Sequence, residues 1–153
     1  MLARVMTVSD GVADGTREDR SGEALATRLG EAGFTVDRRV VVADGVESVA
    51  AGLVELCTGF AGLVVTTGGT GFGPRDLTPE GTLQVLDRQA PGLAEAMRLV
   101  SPLGRLSRAT AGTLGAALIL NTPGSTSGAI ETLEAVLDVV PHALDLLAGG
   151  HPH

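Results

Sequence analysis

The sequence predicts an α/β fold built on a mostly parallel sheet. Three observations lead to this fold class. Short runs of β-branched and aliphatic residues alternate with segments whose apolar residues recur at helical spacing. The apolar runs contain few polar residues, as expected of parallel strands that are covered on both faces. Polar or glycine-rich turns separate the strands from the helices, and this order is typical of a parallel sheet.

The first half of the chain predicts three strands and two helices. Gly33 and Gly59 stand where the two helices end, a position in which glycine is common. A polar loop over residues 13–19 connects the first strand to the first helix. In chain order the elements are strand 2–8, helix 21–32, strand 34–42, helix 46–58 and strand 61–67.

The second half of the chain predicts mainly helices and one more strand. Pro79 begins a helix, and Pro141 interrupts the helical pattern near the end. Residues 106–112 fit either a short helix or a loop. We expect one domain over residues 1–148 and a tail over 149–153. The other elements are helix 79–89, helix 93–100, turn 101–104, strand 116–120, helix 127–139 and a last helix that ends at Leu147.

Composition limits the classes of function. The chain of 153 residues is 44% hydrophobic and 2% aromatic, and its formal net charge is −7 without any basic run. Nucleic acid and anionic membranes are therefore not expected as partners. The single cysteine, Cys57, cannot form an intrachain disulfide, and the N-terminus lacks the pattern of a secretory leader. We therefore expect a cytoplasmic protein.

A glycine-rich stretch after the third strand is a candidate ligand loop. Gly68, Gly69 and Gly71 remove side chains where backbone N–H groups can surround an anion. Thr78 suits the N-cap of the next helix, with Pro79 as its first helical residue. The alternative is a glycine-rich turn without a ligand. The spacing matches neither the Walker A motif nor the G-x-G-x-x-G motif, so neither class is predicted.

Four polar turns follow predicted strands and should meet at one edge of the sheet. They lie at Ser9-Asp10, at Asp44, at residues 68–76 and at residues 121–125. In open α/β sheets, ligands bind beyond the carboxyl ends of the strands. The four turns therefore predict one ligand cleft.

Three aspartates, Asp10, Asp44 and Asp76, are predicted to share this cleft. Carboxylates beside an anion-binding loop commonly hold Mg²⁺ between the protein and phosphate oxygens, which indicates phosphoryl or nucleotidyl transfer. The alternative is that these residues only form turns, because aspartate hydrogen-bonds well to its own backbone. Arg75 either contacts a phosphate or neutralises Asp76.

Uncharged side chains of the same turns are candidates for hydrogen bonds to a polar ligand. Asn121 offers both a donor and an acceptor. The hydroxyl candidates, each of which alternatively caps a turn, are Ser9, Thr70, Ser107 and Ser125.

The cysteine and the histidines are not predicted to carry chemistry. Cys57 falls on the apolar face of a helix and is interpreted as a buried structural thiol. His142 is interpreted as an ordinary helix residue, and His151-Pro152-His153 as a solvated terminus.

A set of short motifs extends over essentially the whole chain. The most specific is Thr66-Thr67-Gly68-Gly69-Thr70-Gly71 followed by Pro74-Arg75-Asp76-Leu77-Thr78-Pro79-Glu80. The others are Ser9-Asp10, Asp19-Arg20-Ser21-Gly22, Pro91-Gly92-Leu93, Met97-Arg98, Leu106-Ser107-Arg108-Ala109 and Asn121-Thr122-Pro123-Gly124-Ser125. In this combination and order, the motifs closely resemble the MoaB/Mog family of molybdenum-cofactor biosynthesis.

The resemblance implies a three-layer α/β molybdopterin-binding fold, similar to the gephyrin G domain and usually assembled as a homotrimer. It implies an adenylyltransferase that uses Mg²⁺ and ATP to adenylylate molybdopterin and releases pyrophosphate. A downstream molybdate-insertion protein would receive the product. Asp44 and Asp76 would be the catalytic and Mg²⁺-binding positions. The pterin or its phosphate would be held by Gly68, Gly69, Thr70 and Gly71 together with Ser107, Asn121, Pro123, Gly124 and Ser125.

Two other functions stay open at this point. The first is a molybdopterin-binding or scaffold protein of the same family without adenylylation activity. The second is an interaction protein that uses no nucleotide, which would leave the converging aspartates unexplained. Retention of Asp44 and Asp76 favours the enzyme.

Overall fold

A six-stranded sheet forms the centre of the molecule. The structure is a computed structural model that describes residues 1–151. The strand order is β2-β1-β3-β6-β5-β4. The first four strands in this order are parallel, whereas β5 is antiparallel to β6 and β4 is antiparallel to β5, so the predicted mostly parallel sheet is confirmed. The strands are β1 (Leu2–Val8), β2 (Thr35–Val42), β3 (Gly62–Thr67), β4 (Arg88–Gln89), β5 (Ala111–Leu114) and β6 (Ala117–Thr122).

Helices cover both faces of the sheet and give the fold three layers. One hydrophobic core contains residues of α2, α5, α6 and α7, and a second core on the other face contains residues of α3. A 3-10 helix, Pro102–Leu106, follows α5. The helices are α1 (Asp10–Ala13), α2 (Arg20–Glu31), α3 (Val46–Cys57), α4 (Thr78–Val85), α5 (Pro91–Arg98), α6 (Thr126–Glu134) and α7 (Val140–Leu147).

Successive residues of the central strands pack into opposite cores. Val5 of β1 packs in the same core as Leu25 of α2, whereas Met6 of β1 packs in the core that contains Leu53 of α3. All four side chains are at most 1% exposed. Because both faces of these strands are buried, the sequence shows continuous apolar runs instead of a polar alternation.

Residues 106–112 are neither a helix nor only a loop. Ala111–Leu114 forms β5, which pairs with β6 and with the two-residue strand β4. The predicted helix 79–89 is accordingly wrong at its end, because α4 stops at Val85 and Arg88–Gln89 pairs with β5. Short strands of this kind depend on a partner elsewhere in the chain, so local residue patterns did not reveal them.

Several helices also differ from the prediction, including α5, which runs from Pro91 to Arg98 and not over residues 93–100. The predicted helix 127–139 ends at Glu134, and Pro141 lies in the first turn of the next helix, α7, where a missing N–H is tolerated. Asp10–Ala13 forms the short helix α1, which was not predicted. Thr78 is the first residue of α4 and not its N-cap, and its hydroxyl donates to the Gly68 carbonyl at 2.8 Å.

Cys57 and His142 are placed as predicted. Cys57 lies in a hydrophobic core, where burial raises the pKa of its thiol to about 11. His142 is an exposed residue of α7. The prediction for the terminal histidines includes residues 152 and 153, which lie outside the described residues. Between residues 1 and 151, no helix has the length and apolar character needed to cross a membrane.

Candidate functional site

A cavity of about 1160 Å³ opens beyond the carboxyl ends of β1, β3 and β6. The structure brings the four predicted turns together there. Asp10 and Arg75 are the predicted site residues that do not line the cavity. The predicted residues that line it are Ser9, Asp44, Gly68, Gly69, Thr70, Gly71, Asp76, Ser107, Asn121, Pro123, Gly124 and Ser125.

The glycine-rich loop, residues 68–76, passes very close to neighbouring backbone and side chains. Gly68 has φ +100°, and a Cβ placed on it would lie 2.2 Å from the Val8 carbonyl oxygen. Gly69 has φ +69°, and its Cβ would lie 2.3 Å from the Thr78 hydroxyl and 3.2 Å from Asp44 Oδ1. Both positions require glycine for conformation and for space. The loop therefore brings its backbone directly against Asp44.

Asp10 and Asp44 join the ends of β1 and β2. The Asp10 N–H donates to Asp44 Oδ2 at 2.9 Å, and the Asp44 N–H donates to Asp10 Oδ1 at 3.1 Å. Arg75 binds both Asp10 oxygens at 3.0 Å and the Asp44 carbonyl at 2.9 Å. These hydrogen bonds from Arg75 hold the pKa of Asp10 below its ordinary value. In this structure Arg75 thus pairs with Asp10 and not with its neighbour Asp76, and it fastens the glycine-rich loop over Asp44.

Asp76 lies at the other end of the glycine-rich loop. Its Oδ2 accepts the Gly73 N–H at 2.8 Å, and its own N–H donates to the Gly73 carbonyl at 3.0 Å. Asp44 and Asp76 both line the cavity, and each uses only one carboxylate oxygen in these hydrogen bonds. The structure therefore leaves one oxygen of each aspartate for a ligand.

Asp44 and Asp76 fit a Mg²⁺ ion that is bound together with a substrate. Carboxylate oxygens are hard donors, and Mg²⁺ is usually held by one or two of them together with substrate phosphates and water. Over residues 1–151, no group of three or more His, Cys, Asp or Glu side chains is arranged to hold a metal ion. A phosphate ligand would accordingly have to complete the coordination.

Asn121 uses its side chain within the protein and not toward the cavity. The side-chain NH₂ donates to the hydroxyls of Thr66 and Thr82, and Oδ1 accepts the Thr110 N–H, at 3.0 to 3.2 Å. Asn121 is completely buried. The predicted role of its amide as a ligand donor and acceptor therefore differs from the structure, in which the amide links β6, β3, α4 and the segment before β5.

We predict that Asn121→Ala destabilises the protein by about 2–4 kcal/mol, because it leaves the part-buried Thr110 N–H without its acceptor, removes the donors to two buried threonine hydroxyls and opens a void. Urea unfolding followed by circular dichroism measures this loss. Ser107→Ala is a suitable comparison because Ser107 is only partly buried and its hydroxyl accepts one N–H, from Ala109. A loss below about 1 kcal/mol for Asn121→Ala would contradict the structural role.

The four predicted hydroxyl residues divide into two groups, of which the first accepts backbone N–H groups and includes Ser107, which accepts the Ala109 N–H. Ser9 and Ser125 accept N–H groups at the starts of α1 and α6, so the capping alternative is correct for both, although both also line the cavity. Thr70 is 5% exposed, and within residues 1–151 its hydroxyl makes no protein hydrogen bond. Thr70 is therefore the hydroxyl most available to a ligand.

Three arginines of the cavity wall were not predicted as site residues. Arg17 and Arg20 lie in and after the loop that follows α1, and Arg98 ends α5. Arg20 pairs with Glu18, and Arg98 donates to the Ala109 carbonyl, whereas Arg17 has no salt bridge to any described residue. They supply positive charge that an anionic ligand needs in a chain of net charge −7. For Arg17 the only sequence signal was charge in the loop over residues 13–19, whereas Arg20 and Arg98 belong to motifs of the family resemblance, Asp19-Arg20-Ser21-Gly22 and Met97-Arg98.

Comparison with known proteins agrees with this arrangement. Residues 4–142 match the family described as probable molybdopterin binding domain. The chain belongs to this family. Two curated relatives named molybdopterin adenylyltransferase come from Helicobacter pylori strain J99 and from Escherichia coli K12. The first is 38% identical and the second 36%; the matches cover 96% and 95% of this chain and 88% and 84% of the relatives.

A solved structure of the same family has the same fold. It is described as the molybdopterin biosynthesis enzyme MoaB from Thermus thermophilus. It is 44% identical to this chain, the match covers 99% of both chains, and the TM-score is 0.90. The family resemblance and the α/β fold predicted from the sequence are therefore confirmed.

Proposed function

We propose that this protein is a molybdopterin adenylyltransferase that uses ATP and Mg²⁺. The observation that carries the proposal is that Asp44 and Asp76 line one cavity with a glycine-rich loop, in a chain similar to adenylyltransferases over nearly its whole length. A cavity of about 1160 Å³ exceeds the roughly 300–1,000 Å³ of a typical single-ligand site, which supports binding of two substrates together.

The proposed reaction is a displacement at phosphorus. An oxygen of the terminal phosphate of molybdopterin attacks the α-phosphorus of ATP and forms a new P–O bond. The bond between the α-phosphorus and its bridging oxygen breaks, and pyrophosphate leaves with the electron pair. The attacking phosphate is already anionic, so the step needs no general base. Positioning and neutralisation of charge therefore supply most of the catalysis.

The residues of the cavity have distinct roles in this proposal. Backbone N–H groups of the glycine-rich loop and the Thr70 hydroxyl bind phosphate or pterin oxygens, in agreement with the roles that the family resemblance implies. Arg17 is placed to neutralise a phosphate because it lines the cavity and has no salt bridge to a described residue. Arg75 and Asp10 hold the loop and Asp44 in place from outside the cavity.

Asp44 and Asp76 would hold Mg²⁺ through the oxygens that their protein hydrogen bonds leave free. When held by these carboxylates, Mg²⁺ would supply positive charge that stabilises the phosphates of ATP in the transition state. Arg75 supports this role of Asp44 by binding its carbonyl, and Gly73 supports the role of Asp76 by donating to its carboxylate.

The cavity wall favours direct transfer without a covalent lysyl, histidyl or cysteinyl intermediate. The sequence contains no lysine, and no histidine or cysteine lines the cavity in the described part of the chain. Cys57 is buried in a hydrophobic core, and its raised pKa keeps the thiol protonated at neutral pH.

Pyrophosphate release tests the proposed function. We expect the protein to release pyrophosphate from ATP only when molybdopterin and Mg²⁺ are both present, and we expect chelation of Mg²⁺ with EDTA to stop the release. Omission of molybdopterin is the control for ATP hydrolysis. Binding of molybdopterin without pyrophosphate release would contradict the proposed adenylyltransferase activity. It would favour the alternative, a molybdopterin-binding or scaffold protein without that activity.

The family resemblance also supports a homotrimer. Sedimentation of the purified protein as a monomer at micromolar concentration would contradict the trimer.

The same resemblance supports a cytoplasmic location and transfer of the product to a molybdate-insertion protein. The single, buried cysteine is compatible with a reducing compartment.

A further inference from the structure

One arginine outside the cavity wall binds three parts of the glycine-rich loop and α4. Arg108 lies between the 3-10 helix and β5. Its Nε donates to the Gly71 carbonyl at 2.8 Å, one terminal nitrogen donates to the Asp76 carbonyl, and the other pairs with the Glu80 carboxylate. Its backbone N–H donates to the Thr70 carbonyl at 2.9 Å. A single residue thus contacts the loop on both sides of its exposed tip.

The loop tip, residues 72–75, has few other attachments on this side. Phe72 is 72% exposed, and the hydrogen bonds within the tip join Gly73 with Asp76. Arg108 binds the carbonyls of Gly71 and Asp76, the residues that flank the tip. The guanidinium therefore fixes the backbone of Asp76, while Gly73 fixes its carboxylate.

Glu80 holds the guanidinium in this orientation. Burial is the largest single effect on Glu80 and raises its pKa, but the hydrogen bond from Arg108, a backbone hydrogen bond and the charge of Arg108 together outweigh burial, so the pKa of Glu80 lies below its ordinary value. Glu80 is therefore a carboxylate at neutral pH. Its Oε2 is buried without a partner among the described residues, so its interaction with Arg108 goes through Oε1. A planar guanidinium can serve three acceptors at once, which a lysine ammonium on a flexible stem cannot do with the same geometry.

We propose that Arg108 is a positioning residue for adenylyl transfer, which acts by holding the Asp76 backbone and the glycine-rich loop in the reactive geometry. The inference rests on the proposed function, because it assigns Arg108 to the step in which Asp76 takes part. Arg108 does not line the cavity and does not contact substrate. Its effect should therefore appear in turnover and in loop mobility more than in substrate affinity.

The test uses Arg108→Lys, which keeps the positive charge beside Glu80. We expect kcat for pyrophosphate release to fall by about 10- to 100-fold, and KM for molybdopterin to change by less than about threefold. In the protein without substrates, we expect amide hydrogen exchange over residues 70–77 to accelerate about tenfold or more, because two loop carbonyls lose their donor.

Arg4→Lys is the matched control. Arg4 also combines a carboxylate, Asp37, with a backbone carbonyl, that of Leu56, but it lies near the start of β1 and does not line the cavity. We expect this variant to leave both kcat and exchange over residues 70–77 unchanged. If Arg108→Lys does not fold, Glu80→Gln gives a second test, because it weakens the pairing but retains an acceptor for Arg108.

Two results would overturn the inference. The first is wild-type exchange over residues 70–77 in both the Arg108 and the Glu80 variant. The second is an unchanged kcat with a raised KM in Arg108→Lys, which would assign Arg108 to substrate binding. Absence of pyrophosphate release by the wild-type protein is a different result, because it contradicts the proposed function while exchange still measures whether Arg108 restrains the loop.

Discussion

Asp76→Asn is expected to abolish adenylylation while molybdopterin still binds. Asparagine keeps a side-chain oxygen that can accept the Gly73 N–H, so the loop conformation should persist. The substitution removes the negative charge that Mg²⁺ requires at this position. We expect kcat to fall by about 100-fold or more, the scale of losing a metal-dependent contribution to the transition state. Pyrophosphate release measures kcat, and calorimetric titration measures molybdopterin binding.

Asp87→Asn is the control for this substitution. Asp87 also accepts one backbone N–H, that of Gly115 at 2.7 Å, but it lies beside the β5–β6 turn and does not line the cavity. We expect wild-type turnover for this control. Full turnover by Asp76→Asn would contradict a role of Asp76 in the mechanism. If the variant instead lost molybdopterin binding as well as turnover, Asp76 would be assigned to binding of the pterin substrate.

Gly69→Ala is expected to damage both the fold and the site. Alanine at φ +69° costs about 1–2 kcal/mol, and the added Cβ would displace the Thr78 hydroxyl from the Gly68 carbonyl, which costs about 1–3 kcal/mol more. The same Cβ lies 3.2 Å from Asp44 Oδ1 and would move this carboxylate. Relief of the 2.3 Å clash with the Thr78 hydroxyl requires a shift of about 1 Å in the loop or in Thr78, so we expect turnover to fall by about 100-fold. Urea unfolding and pyrophosphate release are the measurements.

Gly115→Ala separates the backbone cost from the steric cost. Gly115 has φ +58° in the turn between β5 and β6, and no heavy atom lies within 4 Å of its added Cβ. We expect this variant to lose only about 1–2 kcal/mol of stability and to keep its turnover. Equal stability losses in the two variants, with normal turnover in Gly69→Ala, would show that close packing around Gly69 is unimportant.

The central strands and their turns could be predicted because local residue types determine them. β1 and β3 are apolar on both faces, and each ends in a polar or glycine-rich turn. β4 and β5 could not be predicted in this way, since two exposed residues and the sequence AGTL carry no strand pattern of their own. Their pairing depends on β6, which supplies the hydrogen-bonding partner.

The parts of the candidate site that directly follow a parallel strand could be predicted from the sequence. Asp44 and the glycine-rich loop meet because parallel strands end at the same edge of the sheet. The direction of a side chain could not be predicted in the same way. Asn121 follows this rule by position but turns its amide into the protein, and Arg75 selects Asp10 over Asp76. Arg17 enters the cavity wall from a loop whose path the sequence does not determine.

Transfer of label from ATP is the measurement that tests the central claim most directly. The protein would be mixed in single turnover with ATP labelled at the α-phosphorus, molybdopterin and Mg²⁺. Direct transfer in the cavity that Asp44 and Asp76 line predicts that the label appears in molybdopterin at the rate of pyrophosphate release, with none bound covalently to the protein. Label that stays in ATP, or that becomes attached to the protein before it reaches molybdopterin, would contradict this account.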